Sequence, residues 1–121
     1  MKYQFVRAAA VSPELKVADV FFNTQNIIRE VEAQSNQGIE VLVFPELSIC
    51  GFTCGDLLLQ KSLTDACLNA LTEIAAATKG KRMLVFVGLP VVAQNKLYNC
   101  AAGIANGNVL GIVPQMNSVN C

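Results

Sequence analysis

Hydrophobic residues along this chain occur either in short unbroken runs or in longer stretches with the spacing of a helix. The first run, QFVRAAAV at 4–11, is followed by the turn-forming pair Ser12 and Pro13 and predicts a strand. Between 18 and 36, apolar residues and one threonine recur on a single face of an amphipathic helix, and Gly38 provides its stop. These positions predict a strand followed by a helix.

The same two patterns repeat in the middle of the chain. EVLVF at 40–44 is an apolar, β-branched run with the length of a buried strand, and Pro45 marks its end because proline cannot donate a hydrogen bond to a sheet. From about Asp56, apolar residues return at helical spacing as far as the KGK segment at 79–81. A further buried strand, MLVFVGLP, is predicted at 83–90.

The last part of the chain is typical of a β-hairpin. LYNCAAGIA at 97–105 and NVLGIVP at 108–114 flank Asn106 and Gly107, the strongest short-range signal for a two-residue turn. The predicted order is therefore strand, helix, strand, helix and three strands, an α/β fold in which helices cover a sheet. In such folds, functional residues gather at the carboxyl ends of the strands.

Composition limits the classes of function. The chain has 121 residues, 53% of them apolar, which suffices for one domain spanning 1–121. Nine basic and nine acidic residues cancel without forming a basic cluster, so a nucleic-acid partner is not expected. No apolar run approaches the roughly 18 residues of a membrane span, and no leader pattern appears, so we expect no membrane partner and a cytoplasmic location.

The titratable residues narrow the chemistry further. The chain has no histidine, the commonest general base and metal ligand, and its five cysteines match neither a zinc pattern nor C-x-x-C. We therefore expect reduced thiols that serve mainly as small core residues, and no metal site. Proton transfer would depend on Glu, Asp, Lys, Tyr or Cys.

Glu46 is the most informative polar residue, because it lies just past the carboxyl end of the predicted strand 40–44. One interpretation is structural: the carboxylate caps or hydrogen-bonds the loop at 47–55. The other is functional: a carboxylate held between apolar walls is a candidate general base. Its position alone supports both.

The sequence around Glu46 resembles a motif of a known family. FPELSICGF at 44–52, with QGIEVLV upstream, resembles the first signature of the nitrilase, or carbon–nitrogen hydrolase, superfamily. The segments at 53–60 (TCGDLLLQ) and 88–114 resemble one branch, the N-terminal glutaminase domains of glutamine-dependent NAD synthetases. The resemblance extends from about Phe5 to Pro114. It implies the N-terminal part of such a hydrolase domain, with part of a nitrilase-type α-β-β-α sandwich in which helices cover two sheets packed face to face.

By this resemblance, Glu46 is the general base of a Glu-Lys-Cys triad. The family lysine follows a Val-Pro pair, but here Val113 and Pro114 are followed by Gln115, a neutral amide. The family's nucleophilic cysteine lies further along than this sequence extends. The branch often has a tyrosine in its substrate pocket where this chain has Phe52, so a hydroxyl is expected to be missing there.

The other polar residues and thiols have structural interpretations. Loop packing is expected of Cys50 and Cys54, and capping of the second helix is expected of Asp56. Lys96 is expected to be a solvated charged residue at a turn. Cys121 is expected to be a thiol in the tail of the chain without a function. Strand packing is expected of three consecutive residues, Tyr98, Asn99 and Cys100.

The resemblance implies hydrolysis of the side-chain amide of glutamine to supply ammonia to an ATP-dependent NAD synthetase. The amidase reaction needs no cofactor, and ATP and magnesium would belong to a synthetase domain outside this sequence. Because Gln115 replaces the lysine and the nucleophile is not reached, we expect an incomplete front fragment that is inactive alone. We also expect an uncovered apolar sheet face that promotes self-association or a homo-oligomer.

Two alternatives stand beside this interpretation. In the first alternative, which Gln115 favours, the chain is a catalytically inactive or truncated nitrilase-like domain that only folds or binds. Strand–helix alternation would also fit a flavodoxin-like nucleotide-binding module. That fold requires a phosphate-cradling loop of glycines or hydroxyls after the first strand, and this chain has VSPELKVAD at 11–19.

Overall fold

The computed structural model describes residues 5–51 and 61–114. Within these residues the order strand, helix, strand, helix and three strands is confirmed. The elements are β1 (Ala8–Ala10), α1 (Val20–Asn36), β2 (Val41–Val43), α2 (Lys61–Ala77), β3 (Leu84–Ala93), β4 (Lys96–Ala105) and β5 (Asn108–Pro114). The predicted start of the second helix near Asp56 lies outside the described residues.

The strands differ from the prediction at their ends. β1 and β2 are three residues each, shorter than the apolar runs that contain them. β3 instead continues past Pro90 to Ala93, and Gln94 and Asn95 form a two-residue turn with φ values of 53° and 63°. The prediction that this strand ends at 90 is wrong, because Pro90 pairs with Asn99 inside the β3–β4 ladder and the turn contains no glycine to signal it.

The strands form one sheet in the order β1-β2-β3-β4-β5. β1, β2 and β3 run parallel, β4 pairs antiparallel with β3, and β5 pairs antiparallel with β4. α1 connects β1 to β2 and α2 connects β2 to β3, so both crossovers step in the same direction across the sheet. Since such crossovers are right-handed, both helices lie on one face, where they contact each other.

The core lies between this face and the helices. Leu42, Val85 and Ile104 are fully buried from three strands, as are Ile27 on α1 and Ile74 on α2. α1 begins where Asp19 caps it, because the Asp19 Oδ1 accepts a hydrogen bond from the Phe22 backbone nitrogen at 3.0 Å. The helical spacing predicted over 18–36 is thus confirmed, with the helix starting two residues later.

The predicted hairpin turn at Asn106 and Gly107 is confirmed. Both residues have positive φ (47° and 85°), as the two-residue turns that match strand twist require. The Asn106 Oδ1 accepts from the Gly80 nitrogen at 3.0 Å, and the Gly107 nitrogen donates to the Thr78 Oγ1 at 2.9 Å. These bonds fix the hairpin against the segment that follows α2.

The second face of the sheet, here called the open face, carries Val41, Val43, Phe86, Ala101 and Val113. Strand register places them together, since Val43 pairs with Phe86 and Ala101 with Val113. Val43 is 40% and Val113 66% exposed, so the described residues leave this face uncovered. One sheet with one helical layer is half of an α-β-β-α sandwich, which agrees with the partial nitrilase-type fold predicted.

Neither of the helices in 5–51 and 61–114 has the length and apolar character needed to cross a membrane.

Candidate active site

Glu46 lies beyond the carboxyl end of β2, as its sequence position predicts. The Phe44 nitrogen still donates to the Phe86 carbonyl at 2.9 Å, so pairing with β3 continues for one residue past the strand. The chain then turns at Leu47, which has a positive φ of 52° that a branched apolar residue adopts only under constraint. Strained backbone of this kind is common at functional sites, where surrounding contacts hold it in place.

Gly88 on β3 provides the space that this turn requires. A Cβ at position 88 would meet the Leu47 nitrogen and would lie 2.9 Å from both the Glu46 carbonyl carbon and the Pro45 oxygen. The Gly88 nitrogen donates to the buried Ser48 Oγ at 3.1 Å, and the Gly88 carbonyl accepts from the Ile49 nitrogen at 3.0 Å. The backbone that carries Glu46 is therefore held directly on β3. Sequence analysis did not identify Gly88 or Ser48 as site residues.

A buried asparagine on α1 secures the far side of the same loop. The Asn23 Nδ2 donates to the Ile49 carbonyl at 3.1 Å and to the Lys16 carbonyl at 2.8 Å. Its Oδ1 accepts from the Lys16 nitrogen at 2.7 Å. Asn23 is fully buried, so its amide joins the segment before α1 to the loop that follows Glu46.

Asn99 on β4 is in direct contact with the candidate base. Its Nδ2 donates to the Glu46 Oε2 at 3.1 Å, although the two residues are 53 positions apart in sequence. The expectation that Asn99 serves packing alone is therefore corrected: its side chain is buried, but its amide is bonded to the carboxylate. The sequence carries no signal for this contact, because the β3–β4 register that pairs Asn99 with Pro90, two residues from Gly88, is set by the folded sheet.

Glu46 and Asn99 line one cavity of about 270 Å³. Its walls are mostly apolar and come from the end of β2 and the middle of β3 and β4, including Val43, Phe86 and Ala101. The predicted apolar walls are thus present, but Glu46 itself is exposed. A small cavity with apolar walls and convergent carboxylate and amide groups is suited to a small polar ligand.

The cysteines near this cavity are arranged for packing. Cys100 contributes to the cavity lining, and burial raises the pKa of its thiol, so it stays protonated and is a poor nucleophile. Cys50 is fully buried and its Sγ donates to the Gly51 carbonyl at 3.3 Å. The Cys50 and Cys67 thiols share a hydrogen bond, and this bond together with burial raises the pKa of Cys67. The structural interpretation of Cys50 agrees with this burial.

Several predicted residues cannot be compared with the structure. Gln115 and Phe52 lie outside the described residues, as do Cys54, Asp56 and Cys121. The place of Gln115 at the position of the family lysine, which the resemblance implies, therefore stays a prediction. Lys96 opens β4 next to the Gln94–Asn95 turn and is exposed, as expected of a solvated turn charge.

Comparison with known families gives the same assignment as the motifs. The family model described as carbon-nitrogen hydrolase matches residues 7–117. The chain belongs to the carbon–nitrogen hydrolase family. The resemblance based on the segments around Glu46 is thereby confirmed, and a flavodoxin-like module is excluded.

Relatives within this family specify the branch. The chain is 33% identical over 114 residues to the glutamine-dependent NAD(+) synthetase of Mycobacterium tuberculosis, covering 94% of this chain and 17% of that protein. It is 36% identical over 107 residues to the enzyme of the same name from Xylella fastidiosa, covering 88% and 19%. The chain therefore spans less than one fifth of the length of these relatives.

Solved structures agree with these sequence relatives. The crystal structure of a glutamine-dependent NAD(+) synthetase from Cytophaga hutchinsonii matches with a TM-score of 0.88 at 30% identity, over 95% of this chain and 20% of that one. An amidase from Nesterenkonia sp. matches with a TM-score of 0.79 at 21% identity, over 96% and 44%. The amidase shows the shared fold, of which this chain represents slightly less than half.

Proposed function

We propose that this chain forms the front part of a glutaminase domain, in which Glu46 is the general base for hydrolysis of the glutamine side-chain amide. The observation that carries the proposal is the position of Glu46 at the carboxyl end of β2, in one cavity with Asn99. Family membership and the relatives named glutamine-dependent NAD(+) synthetases support the substrate. The ammonia released would serve NAD synthesis.

The chemistry explains why a base is required at this point. An amide is a poor electrophile, so a thiolate attacks its carbonyl carbon and a general base accepts the thiol proton. A cationic or hydrogen-bonding group must then stabilise the tetrahedral oxyanion. In this chain Glu46 supplies the base, while the residue after Val113 and Pro114 is Gln115 rather than the family lysine. ATP and magnesium would serve a synthetase domain, and the location expected for the complete reaction is the cytoplasm.

Glutamine binding tests the proposal without requiring turnover. We expect the chain to bind glutamine in isothermal titration calorimetry and Glu46→Ala to weaken this binding at least about tenfold, as loss of a charge-assisted hydrogen bond predicts. Glu73→Ala removes an exposed glutamate from α2 and is the matched control. Equal affinities in the native chain and Glu46→Ala would contradict a role for this carboxylate.

The second candidate function is an inactive binding domain, favoured by Gln115 at the lysine position. We expect the 121-residue chain to release no ammonia from glutamine above an Glu46→Ala control, because loss of one oxyanion donor alone costs about 10²–10³ in turnover. Ammonia release is measured by a coupled dehydrogenase assay. Release that depends on Glu46 would contradict this expectation and favour a complete active site.

A further inference from the structure

The contact between Asn99 and Glu46 joins a buried residue of the sheet to an exposed residue of a loop. Asn99 is 7% exposed on β4, a strand with neighbours on both sides. Glu46 is exposed, lies in a loop and has three rotatable side-chain bonds. Because ordering an exposed glutamate costs side-chain entropy, a partner held by the sheet is an effective way to select one orientation.

The polarity of the contact is also specific. The Asn99 Nδ2 donates and the Glu46 Oε2 accepts at 3.1 Å, an arrangement that suits the ionised, proton-accepting carboxylate. The loop backbone on the other side of Glu46 is already fixed by Gly88 and Ser48. The backbone and the carboxylate are therefore positioned by separate groups.

We infer that Asn99 is a positioning residue for Glu46, which holds one carboxylate oxygen and thereby sets the orientation in which the carboxylate faces a bound amide. This role rests on the proposed function and extends it by a residue on a different strand. An oriented carboxylate accepts a hydrogen bond from the amide nitrogen of glutamine and repels the side-chain carboxylate of glutamate. Asn99 therefore contributes to discrimination between these two ligands.

The first test exchanges the donor and the acceptor of this hydrogen bond. Asn99→Asp places two acceptors together and is expected to lower the urea midpoint of unfolding, although the side chain keeps its shape. Combining it with Glu46→Gln restores a donor–acceptor pair in the reverse sense and is expected to recover the midpoint. A double variant no more stable than the additive expectation would show that the two side chains are not coupled, and would overturn the inference.

A second measurement does not depend on stability. In ¹H–¹⁵N spectra, the side-chain amide resonance of Asn99 is expected to differ between the native chain and Glu46→Gln. An Asn99 amide resonance that Glu46→Gln leaves unshifted would also overturn the inference.

Ligand discrimination then tests the positioning role itself. In Asn99→Leu, we expect the ratio of glutamine to glutamate affinity to fall about tenfold, the equivalent of one hydrogen bond to a charged group. Asn108→Leu is the matched control, because the Asn108 amide is exposed on β5 and contacts the Asn106 carbonyl of its own turn. If Asn99 had a purely structural role, the substitution would lower the affinities for both ligands equally and leave the ratio of glutamine to glutamate affinity unchanged.

The outcomes separate the two proposals. If the native chain binds glutamine but Asn99→Leu leaves the ratio of glutamine to glutamate affinity unchanged, the positioning role is overturned and the proposed function stands. No glutamine binding in the native chain would contradict the proposed function, and the positioning role with it.

Discussion

At the scale of single residues, the site depends on a residue without a side chain. Gly88 allows the loop at 45–49 to lie directly on β3, and its nitrogen and carbonyl both bond to that loop. This contact brings Glu46 across to β4, where Asn99 lies. Sequence patterns indicated a strand at this position but gave no reason to distinguish this glycine from others.

Gly88→Ala is expected to destabilise the chain and displace Glu46. The added Cβ would meet backbone atoms of Pro45, Glu46 and Leu47, which cannot move as easily as a side-chain tip. Overpacking of this kind typically costs about 1–3 kcal/mol in the free energy of unfolding. Urea unfolding measures the loss, and glutamine affinity is expected to fall in the same variant.

The control for this substitution is Gly111→Ala on β5. Among residues 5–51 and 61–114, a Cβ there would have no neighbour within 4 Å, so we expect a change within about 0.5 kcal/mol. Equal effects of the two substitutions would show that close approach of the loop to Gly88 is not what destabilises the variant.

At the scale of elements, α1 has two functions: it covers the sheet and it holds the loop after Glu46. Ile27 and Val31 supply its fully buried apolar face, which the helical spacing predicts. Asn23 supplies the second function through bonds to Lys16 and Ile49. A polar residue on the buried face of a helix is the exception to the binary pattern, and here it marks the connection to the site.

Asn23→Ala is expected to cost about 2–4 kcal/mol in the free energy of unfolding, because it removes two hydrogen bonds to the Lys16 backbone and takes the Asn23 donor from the buried Ile49 carbonyl. Thermal or urea unfolding measures this cost. Asn26→Ala on the same helix is the control, since the Asn26 amide is bonded at an exposed position, and a change within about 0.5 kcal/mol is expected. Similar losses in both variants would contradict the anchoring role of Asn23.

At the scale of the whole molecule, the open face is the dominant feature. Its apolar side chains come from strands across the sheet, and the described residues leave Val43 and Val113 exposed. The amidase with the same fold is more than twice as long as this chain. An uncovered apolar sheet face is a site of association, whatever surface covers it.

We expect the 121-residue chain to self-associate through the open face. Val113→Lys places a charge on this face and is expected to shift the mass measured by light scattering toward the monomer, because burying an unpaired charge is costly. Leu68→Lys alters an exposed apolar residue on α2 and is the control. A monodisperse native monomer that binds no hydrophobic dye would contradict this prediction.

The sequence by itself determined the order of the elements, the family and the candidate base. Apolar periodicity gave α1 and the buried strands, Asn106 and Gly107 gave their turn, and the residues around Glu46 gave the family. These features are local: each depends on residues that are neighbours along the chain, so spacing and side-chain type are sufficient to indicate them.

Tertiary structure alone decided which residues complete the site. Asn99 meets Glu46 across 53 positions, and Gly88 meets Ser48 across 40. Such contacts depend on strand order and register, and a shift of one residue would turn Asn99 toward the helices and away from Glu46. The sequence shows which strands exist, whereas the register between distant strands follows from packing of the complete sheet against its helices.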